Sequence, residues 1–315
     1  MTLKRTLIAA GAAVVLLAAA TPAAHASQLI DRNATGVKLQ VNARQALLTY
    51  RAAGVAKHVV ASGAVNALPP SHGRPQVKFT LDYSGRGFSG GGCRPYTGPS
   101  LPWVVAACDA PDGSHWAAQA FAYPLPDLGF APWLPAQRAV WLDLSHWTGD
   151  PPLLEVGQDW VYDGRFRQLY GRLTYQGKPV YGFKTTRYGV PVGGYGTLVY
   201  LDTHNAAAYG GGGWVRENSF VTHGPSGVFC YGFYPHDPTK GGYSHPPGQA
   251  AVRAPGVGDE YRLTAHGPGV APDVGWTGAA LPAYDAGNPQ DKLTEQNAVA
   301  QIRAWGAPEC AAHSG

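Results

Sequence analysis

The chain has 315 residues, about twice the length of a typical domain. Only 14% of its residues are charged, against roughly 25% in ordinary soluble domains, and 11% are aromatic. Such a composition offers ample apolar area to bury and excludes a disordered chain. The glycines follow no Gly-X-Y period, which excludes a collagen-like fibre. A formal net charge of +4 is too small and too dispersed for a nucleic-acid-binding protein.

The first 26 residues have the three parts of a secretory signal peptide. A lysine–arginine pair is followed by an apolar run at 7–20, and residues 24–26 match the small-residue pattern of a cleavage site. The apolar run is too short to cross a bilayer. We therefore interpret residues 1–26 as a signal peptide cleaved after Ala26, and we expect a secreted protein. No later stretch has 18 uninterrupted apolar residues, so we expect no transmembrane anchor.

Apolar and polar residues alternate with a period of two along much of the chain, which predicts half-buried β-strands. The alternation is clearest at 36–42, 77–83 and 140–146. Short strands separated by frequent turns are typical of sandwiches and barrels. The sequence therefore predicts an all-β fold, an antiparallel β-sandwich-like arrangement of two packed units with one C-terminal α-helix.

Two dipeptides predict β-hairpins. The Asp-Gly dipeptide at 112–113 favours a two-residue type I′ turn, because both central residues of that turn need positive φ angles. It would join a strand at 104–108 to a strand at 114–121. The Gln-Gly dipeptide at 176–177 predicts a second hairpin, which would join a strand at 168–175 to a strand at 178–185.

The helix is predicted near the C-terminus. Asn288 is a favoured N-cap residue, Pro289 suits the first helical position, and Asp291 stands where a capping-box acid would stand. Apolar residues then recur at helical spacing until Gly306 and Pro308, which end the pattern. We expect this apolar stripe to pack against the core.

The four cysteines, Cys93, Cys108, Cys230 and Cys310, are an even number in a chain that we expect to be exported. Cysteines of such chains form disulfides. Of the three possible pairings we favour Cys93–Cys108, which would close a short loop, and Cys230–Cys310, which would fasten the helix to the sheet. A cysteine metal site is disfavoured because no Cys-x-x-Cys or close Cys-His pair occurs.

Clusters of proline mark candidate domain boundaries. Four prolines fall between residues 124 and 135, and we place the division of the mature chain there. This gives an N-terminal β domain at 27–135 and a C-terminal β domain with the terminal helix at 136–315. The glycine-rich region 188–258 is expected to hold long surface loops, which are often functional in compact proteins.

Polar side chains concentrate at residues 200–237. If the strands of this region are neighbours, Asp202 and Glu217 lie at adjacent strand ends. A carboxylate pair of this kind can act as acid and base in sugar hydrolysis. Arg216 and His204 would assist it. These four are the candidate catalytic residues.

Two other interpretations of this region stay open. His204, His223 and His236 together with Asp202 have the donor atoms of a zinc site. The arginine and the glutamate also fit an ordinary pair on a strand surface, and the histidines fit surface loops. We therefore assign neither a metal nor a cofactor.

The tryptophans and tyrosines also bear on function, since aromatic rings stack on the apolar faces of sugars. We take Trp214 and Tyr209, with His223 and His236, as candidate ligand-binding residues. Aromatic residues also fill the cores of β-sandwiches, and we expect most of the tryptophans to lie there.

Three segments carry a resemblance to known sequences: LSHWTG at 144–149, RENSF at 216–220 and GVFCYG at 227–232. With these segments the chain resembles a group of uncharacterised secreted actinobacterial proteins. The resemblance extends over most of the mature chain. It implies export from a Gram-positive cell, and it implies no catalytic residue, because that group has no assigned activity.

The sequence contains no nucleophile-elbow, zinc-protease, P-loop or Rossmann motif. We therefore expect a monomeric or weakly associating binding or accessory protein of the cell envelope, with a polysaccharide as its ligand. An extracellular hydrolase is the alternative, and it requires its two carboxyl groups to lie within roughly 5–9.5 Å. A proteinaceous inhibitor or ligand of another secreted protein is a third possibility. It predicts an exposed apolar patch larger than a few hundred Å².

Overall fold

The computed structural model describes residues 27–63, 65–68, 77–122, 139–161, 166–180, 198–205, 213–218, 226–233, 236–237, 242–243, 258–266, 269–270, 273–277 and 284–311. The backbone alone is described at 122, 166–167, 198–205, 213–218, 231–233, 236–237, 242–243, 258–261, 266 and 273–277. The predicted signal peptide, residues 1–26, lies outside the described ranges.

Most of the described chain forms short strands. In chain order they are β1 Gln28–Arg32, β2 Thr35–Val41, β3 Gln45–Ala52, β4 Val55–Ser62, β5 Thr80–Asp82, β6 Arg94–Pro95, β7 Val104–Asp109, β8 His115–Ala122, β9 Val140–Trp147, β10 Leu153–Val161, β11 Phe166–Tyr175, β12 Lys178–Pro179, β13 Leu198–Asn205, β14 Gly213–Asn218, β15 Val228–Phe233, β16 His236–Asp237, β17 Gly242–Tyr243, β18 Gly258–His266 and β19 Asp273–Thr277. Helix α1 spans Pro289–Ala304, and a 3₁₀ turn follows at Pro308–Ala311.

The strands form four main sheets in which every pairing is antiparallel. Sheet I has the order β1-β9-β8-β7-β6, and sheet II has the order β2-β3-β4-β5. In sheet III, β11 pairs with β10 and with both β12 and β15, while sheet IV has the order β14-β13-β18-β19. The predicted all-β, sandwich-like fold with one C-terminal α-helix is thereby confirmed.

A first core lies between sheet II and one face of sheet I. Strand β2 shows how the sequence produces it, since Leu39 and Val41 are buried while the residues between and beside them are exposed. Leu48 from sheet II and Trp116 and Leu144 from sheet I are fully buried in the same cluster. The alternation of apolar and polar residues at 36–42 therefore correctly predicted which side of β2 faces the core.

Strand β9 differs from its prediction. The alternation at 140–146 predicted a half-buried strand, but all residues from 142 to 147 are buried, polar Ser145 and His146 included. The reason is that sheet I has sheet II on one face and a second core on the other. Two buried polar side chains of β9 find partners: the hydroxyl of Ser145 donates to the carbonyl oxygen of Gly269 at 3.0 Å, and Nε2 of His146 lies 2.8 Å from the hydroxyl of Ser114.

The second core lies between the other face of sheet I and sheets III and IV. Ala117 and Trp147 contribute to it from sheet I. The residues that sheets III and IV bury in it are Leu154, Leu169, Leu173, Tyr175, Phe229, Leu263 and Ala265. Helix α1 covers the opposite face of sheet III, where Ala298 and Ile302 pack against Tyr170.

The C-terminal helix begins as predicted. The side-chain oxygen of Asn288 accepts from the backbone N–H of Gln290, Pro289 is at the first helical position, and Asn288 donates to Asp291 at 2.8 Å. The helix ends at Ala304, two residues before Gly306 with φ +83°. No helix of the described ranges is long and apolar enough to span a membrane.

Both predicted disulfides are present. Cys93 and Cys108 join the segment before β6 to β7 across a sequence separation of 15 residues. Cys230 and Cys310 join β15 to the 3₁₀ turn after α1 across 80 residues. The second disulfide therefore holds the C-terminal helix on sheet III.

The two hairpins form, one with a different turn. Gln176 and Gly177 both have positive φ angles, as a type I′ turn requires. At the first hairpin only Gly113 has positive φ, and the N–H of Ala110 donates to the carbonyl oxygen of Ser114. The loop is therefore three residues long and ends in a left-handed glycine, a common alternative to the predicted two-residue turn.

The predicted division near residue 135 stays a prediction. Strand β9 follows that point in sequence, and it pairs with both β1 and β8, which precede it. Sheet I thus contains segments from both predicted domains.

Candidate ligand-binding groove

The predicted catalytic residues lie on neighbouring strands of sheet IV. Asp202 and His204 are in β13, and Arg216 and Glu217 are in β14, which pairs with it. The register places Asp202 opposite Arg216, while Glu217 has no partner because the register shifts there. An extra residue of this kind is a β-bulge.

On its other side, Asp202 faces a second arginine. Strand β18 places Arg262 opposite Asp202 and Glu260 opposite His204, which itself faces Trp214 of β14. Opposite charges across neighbouring strands stabilise a sheet. The guanidinium of Arg262 also lies over the ring of Trp103, 3.7 Å from its centroid. An acidic position between two arginines is typical of a structural charge row, so the register also fits the non-catalytic interpretation.

The other predicted ligand-binding residues are not brought together within the described part of the chain. His236 is in β16, which pairs with β17. Tyr209 and His223 lie outside the described residues. Of the six tryptophans whose side chains are described, Trp116, Trp147 and Trp160 are buried in the core. The other three, Trp103, Trp141 and Trp305, are only partly buried. No cluster of three metal-ligating side chains occurs among the residues whose side chains are described.

A concave site forms instead where one end of sheet II meets sheet I. Strand β2 ends at Val41, and Asn42 turns the chain into β3. The side-chain oxygen of Asn42 accepts from the backbone N–H groups of Arg44 and Gln45, at 2.9 and 2.8 Å. Asparagine favours such turns because its side chain can replace a backbone acceptor. Asn42 is therefore held rigidly at the tip of the β2–β3 hairpin.

A run of three glycines approaches this tip from the side. Gly92 exchanges two backbone hydrogen bonds with Val41, at 2.9 and 3.3 Å. Gly90 has a φ angle of +61°, which favours glycine. Residues 90–92 lead directly into Cys93, so the first disulfide anchors this loop to β7.

Two open cavities flank Asn42, and we call them together the Asn42 groove. The first, of about 540 Å³, is lined by residues 42–45 with Ser62 and Gly63. The second, of about 420 Å³, is lined by residues 41–42, 90–94, 109 and 111. Loops at the end of a β-sandwich are a frequent place for binding sites, because the sheets hold them rigidly.

Arg44 and Arg94 bring positive charge to the groove. Arg44 is exposed and lines the first cavity. Arg94 lines the second, and its guanidinium donates to the carbonyl oxygen of Ala110 at 3.0 Å. Neither guanidinium has a carboxylate within 4.0 Å among the described residues. Both arginines thus keep donors for a ligand.

Asp109 is the acidic residue of the groove, and its carboxylate is already engaged. One oxygen lies 2.8 Å from Nδ1 of His115, and the other accepts from the hydroxyl of Thr97 at 2.9 Å. The ring of Tyr96 meets His115 edge-on, with centroids 5.4 Å apart. A histidine oriented by a carboxylate supplies two of the three members of a catalytic triad. No hydroxyl or thiol of the described side chains is hydrogen-bonded to His115, so the arrangement fits binding better than nucleophilic catalysis.

Replacing Gly91 by alanine tests how closely the glycine loop must approach β2. A Cβ at Gly91 would lie 2.9 Å from the carbonyl oxygen of Val41 and 2.6 Å from the ring of Phe88, whereas one at Gly92 would meet nothing within 4 Å. We expect G91A to lower the free energy of unfolding by roughly 1–3 kcal/mol. The matched variant G92A should change it by less than about 0.5 kcal/mol. Urea denaturation measures both, and equal effects would contradict the observed packing.

The stability of the Asp109 contacts should depend on pH. Burial opposes ionisation of Asp109, but hydrogen bonds from His115 and Thr97 outweigh it and lower the pKa of this carboxyl. A carboxyl with a lowered folded-state pKa stabilises the fold above its unfolded-state value of about 3.9. This stabilisation is lost as the pH falls through the folded-state value.

We therefore expect D109N to unfold at lower urea concentration than the parent protein near pH 7. The two should converge as the pH falls below about 4. Asp150 is exposed and accepts no hydrogen bond among the described residues, so D150N serves as the control. A difference between D109N and the parent that persists unchanged at about pH 2.5 would contradict this account.

Sequence reasoning missed the groove. Its residues come from four segments, at 41–45, 62–63, 90–94 and 109–111, which only the sheet pairing brings together. One local signal was present: three consecutive glycines directly before a disulfide cysteine. Such a run indicates close approach of another backbone.

No protein-family model, curated protein or solved structure matches the chain. The resemblance to secreted actinobacterial proteins stays a prediction from the three short segments.

Proposed function

We propose that the protein is exported and acts as a binding or accessory protein at the cell envelope or outside the cell. A signal peptide at residues 1–26, cleaved after Ala26, would bring it there. Two disulfides support this proposal, since such bonds persist in oxidising compartments. The resemblance to secreted proteins of Gram-positive cells agrees with it.

We propose further that the ligand is a polysaccharide and that it binds in the Asn42 groove. The observation that carries this proposal is the pair of open cavities around Asn42, with two arginines that have no carboxylate partner. Sugar hydroxyl groups both donate and accept hydrogen bonds. The groove offers donors from the arginines and exposed backbone groups at residues 90–91. The protein would act as a monomer, without a cofactor or metal.

The test fills the groove without removing any of its polar groups. Ala43 lines the first cavity, so A43W would occupy it, while A56W places the same side chain on an exposed position of β4 outside the groove. We expect the parent protein to bind at least one polysaccharide on a glycan array. A43W should weaken that binding at least tenfold, and A56W should leave it unchanged. Binding by neither the parent nor A56W would contradict the proposed function.

The alternative is an extracellular hydrolase that uses Asp202 and Glu217, with Arg216 and His204 assisting. The bulge at Glu217 beside Asp202 favours it, because bulges often lie next to active sites. A reducing-end assay on polysaccharides tests this alternative. Turnover that D202N and E217Q both abolish would support it, and turnover retained in either variant would exclude the carboxylate pair.

A further inference from the structure

The part of the chain that forms the groove is basic. Residues 27–122 contain nine lysines and arginines against four aspartates and no glutamate. Residues 123–315 contain 13 basic and 16 acidic residues. Positive charge is therefore concentrated in the part that carries sheet II and the Asn42 groove.

The four aspartates of this part are engaged within the protein. Asp31 accepts from Lys57 and Tyr50, Asp82 from Ser84, Asp109 from Thr97 and His115, and Asp112 from Ser114. Among the described lysines and arginines of the same part, only Lys57 forms an ion pair with a carboxylate. The surplus of positive charge thus remains available to a ligand.

Arg44 and Arg94 place two of these charges on opposite sides of Asn42. Each lines one cavity of the groove, and Asn42 lines both. Arg94 shares its cavity with Asp109, yet the carboxylate of Asp109 lies more than 4.0 Å from its guanidinium. The guanidinium fork matches the paired oxygens of a carboxylate or a phosphate, so acidic groups are the natural partners of both arginines.

We propose that the Asn42 groove takes an acidic polysaccharide, whose chain crosses Asn42 and places one acidic group near Arg44 and another near Arg94. This inference rests on the proposed function and narrows its ligand class. The acidic group is a uronic-acid carboxylate or a phosphodiester of a glycopolymer, since both present two oxygens to a guanidinium.

The experiment compares an acidic polysaccharide with its uncharged ester and with an acidic polymer of a second kind. Titration calorimetry of the mature chain uses polygalacturonate, its fully methyl-esterified form, which has the same sugars without charge, and a glycerol-phosphodiester polymer. We expect at least one of the two acidic polymers to bind and the ester to bind at least tenfold more weakly. We also expect affinity for the acidic polymer to fall between about 50 mM and 500 mM salt. The acidic polymer that binds identifies the source of the acidic group.

Variants of the two arginines test whether the positive charge that binds the ligand lies in the groove. R44A and R94A should each weaken binding of the acidic polymer about tenfold, as expected for a lost charge-assisted hydrogen bond. R44K and R94K keep the charge and should recover part of the loss. The control is R51A, because Arg51 is exposed at the far end of β3 and its guanidinium donates to the carbonyl oxygen of Gly54.

The possible failures can be told apart. Equal binding of polygalacturonate and its ester would overturn the acidic ligand and leave the proposed polysaccharide function standing. Binding of no polysaccharide at all would overturn both. A loss in R51A as large as that in R44A would overturn the placement of the ligand in the groove.

Discussion

Replacing Cys230 and Cys310 together by serine is expected to lower the free energy of unfolding by about 4–5 kcal/mol. The disulfide closes a segment of 80 residues, and a long loop gains more conformational freedom in the unfolded chain when it is opened. It also holds Ile302, which is fully buried, against sheet III. The loss of stability therefore includes the packing of helix α1 against sheet III.

Urea denaturation of the double serine variant measures this effect. The matched control replaces Cys93 and Cys108, which close a segment of 15 residues, and we expect a loss of about 3 kcal/mol there. Limited proteolysis adds a local readout, because opening the second disulfide should speed cleavage within α1 at residues 289–304. A larger loss of stability from the shorter loop would contradict the expectation.

The second large effect is expected from Trp147. Its side chain is fully buried in the second core, and its ring centroid lies 5.4 Å from that of His115 and 5.8 Å from that of Tyr96. We expect W147A to lower the free energy of unfolding by roughly 3–5 kcal/mol, because the cavity left by an indole cannot be refilled without moving two sheets. His115 would also lose a packing partner next to the groove.

Two further variants make this prediction specific. Nε1 of Trp147 has no hydrogen-bond partner among the described residues, so its contribution is apolar packing and W147F should recover much of the loss. Trp141 lies on the same strand, is only half-buried and has the guanidinium of Arg32 over its ring at 5.0 Å. W141A should cost only about 1–2 kcal/mol. Equal losses of unfolding free energy in W147A and W141A would contradict a special packing role of Trp147 in the second core.

Local rules predicted much of the fold. The alternation of β2, the cap of α1 and the hairpin at Gln176 depend on neighbouring residues, and the sequence alone was enough to predict them. The burial of β9 was not predictable in this way. The second face of β9 is covered by sheets III and IV, which follow it in sequence. The alternation of apolar and polar residues within β9 does not indicate which later strands will cover that face.

The candidate site was less predictable for the same reason. The sequence indicated the two strands that carry Asp202 and Glu217, but their pairing was only a condition of the carboxylate-pair hypothesis, and the structure supplies it. The Asn42 groove needs the meeting of sheets I and II, and its two arginines are 50 positions apart in sequence. Cavities of this kind arise where segments distant in sequence pair, and neither hydrophobic periodicity nor secondary-structure propensity predicts that pairing.

The strand order of sheet I also determines when this sheet can be completed. β1 and β8 are complete by residue 122, but β9, the strand that joins them, ends only at Trp147. A polypeptide that emerges with its N-terminus first therefore presents two unsatisfied edges until Trp147 has followed. Open edges of this kind recruit other chains into aggregates. Residues 140–147 therefore close two strand edges at which this chain could otherwise pair with a second one.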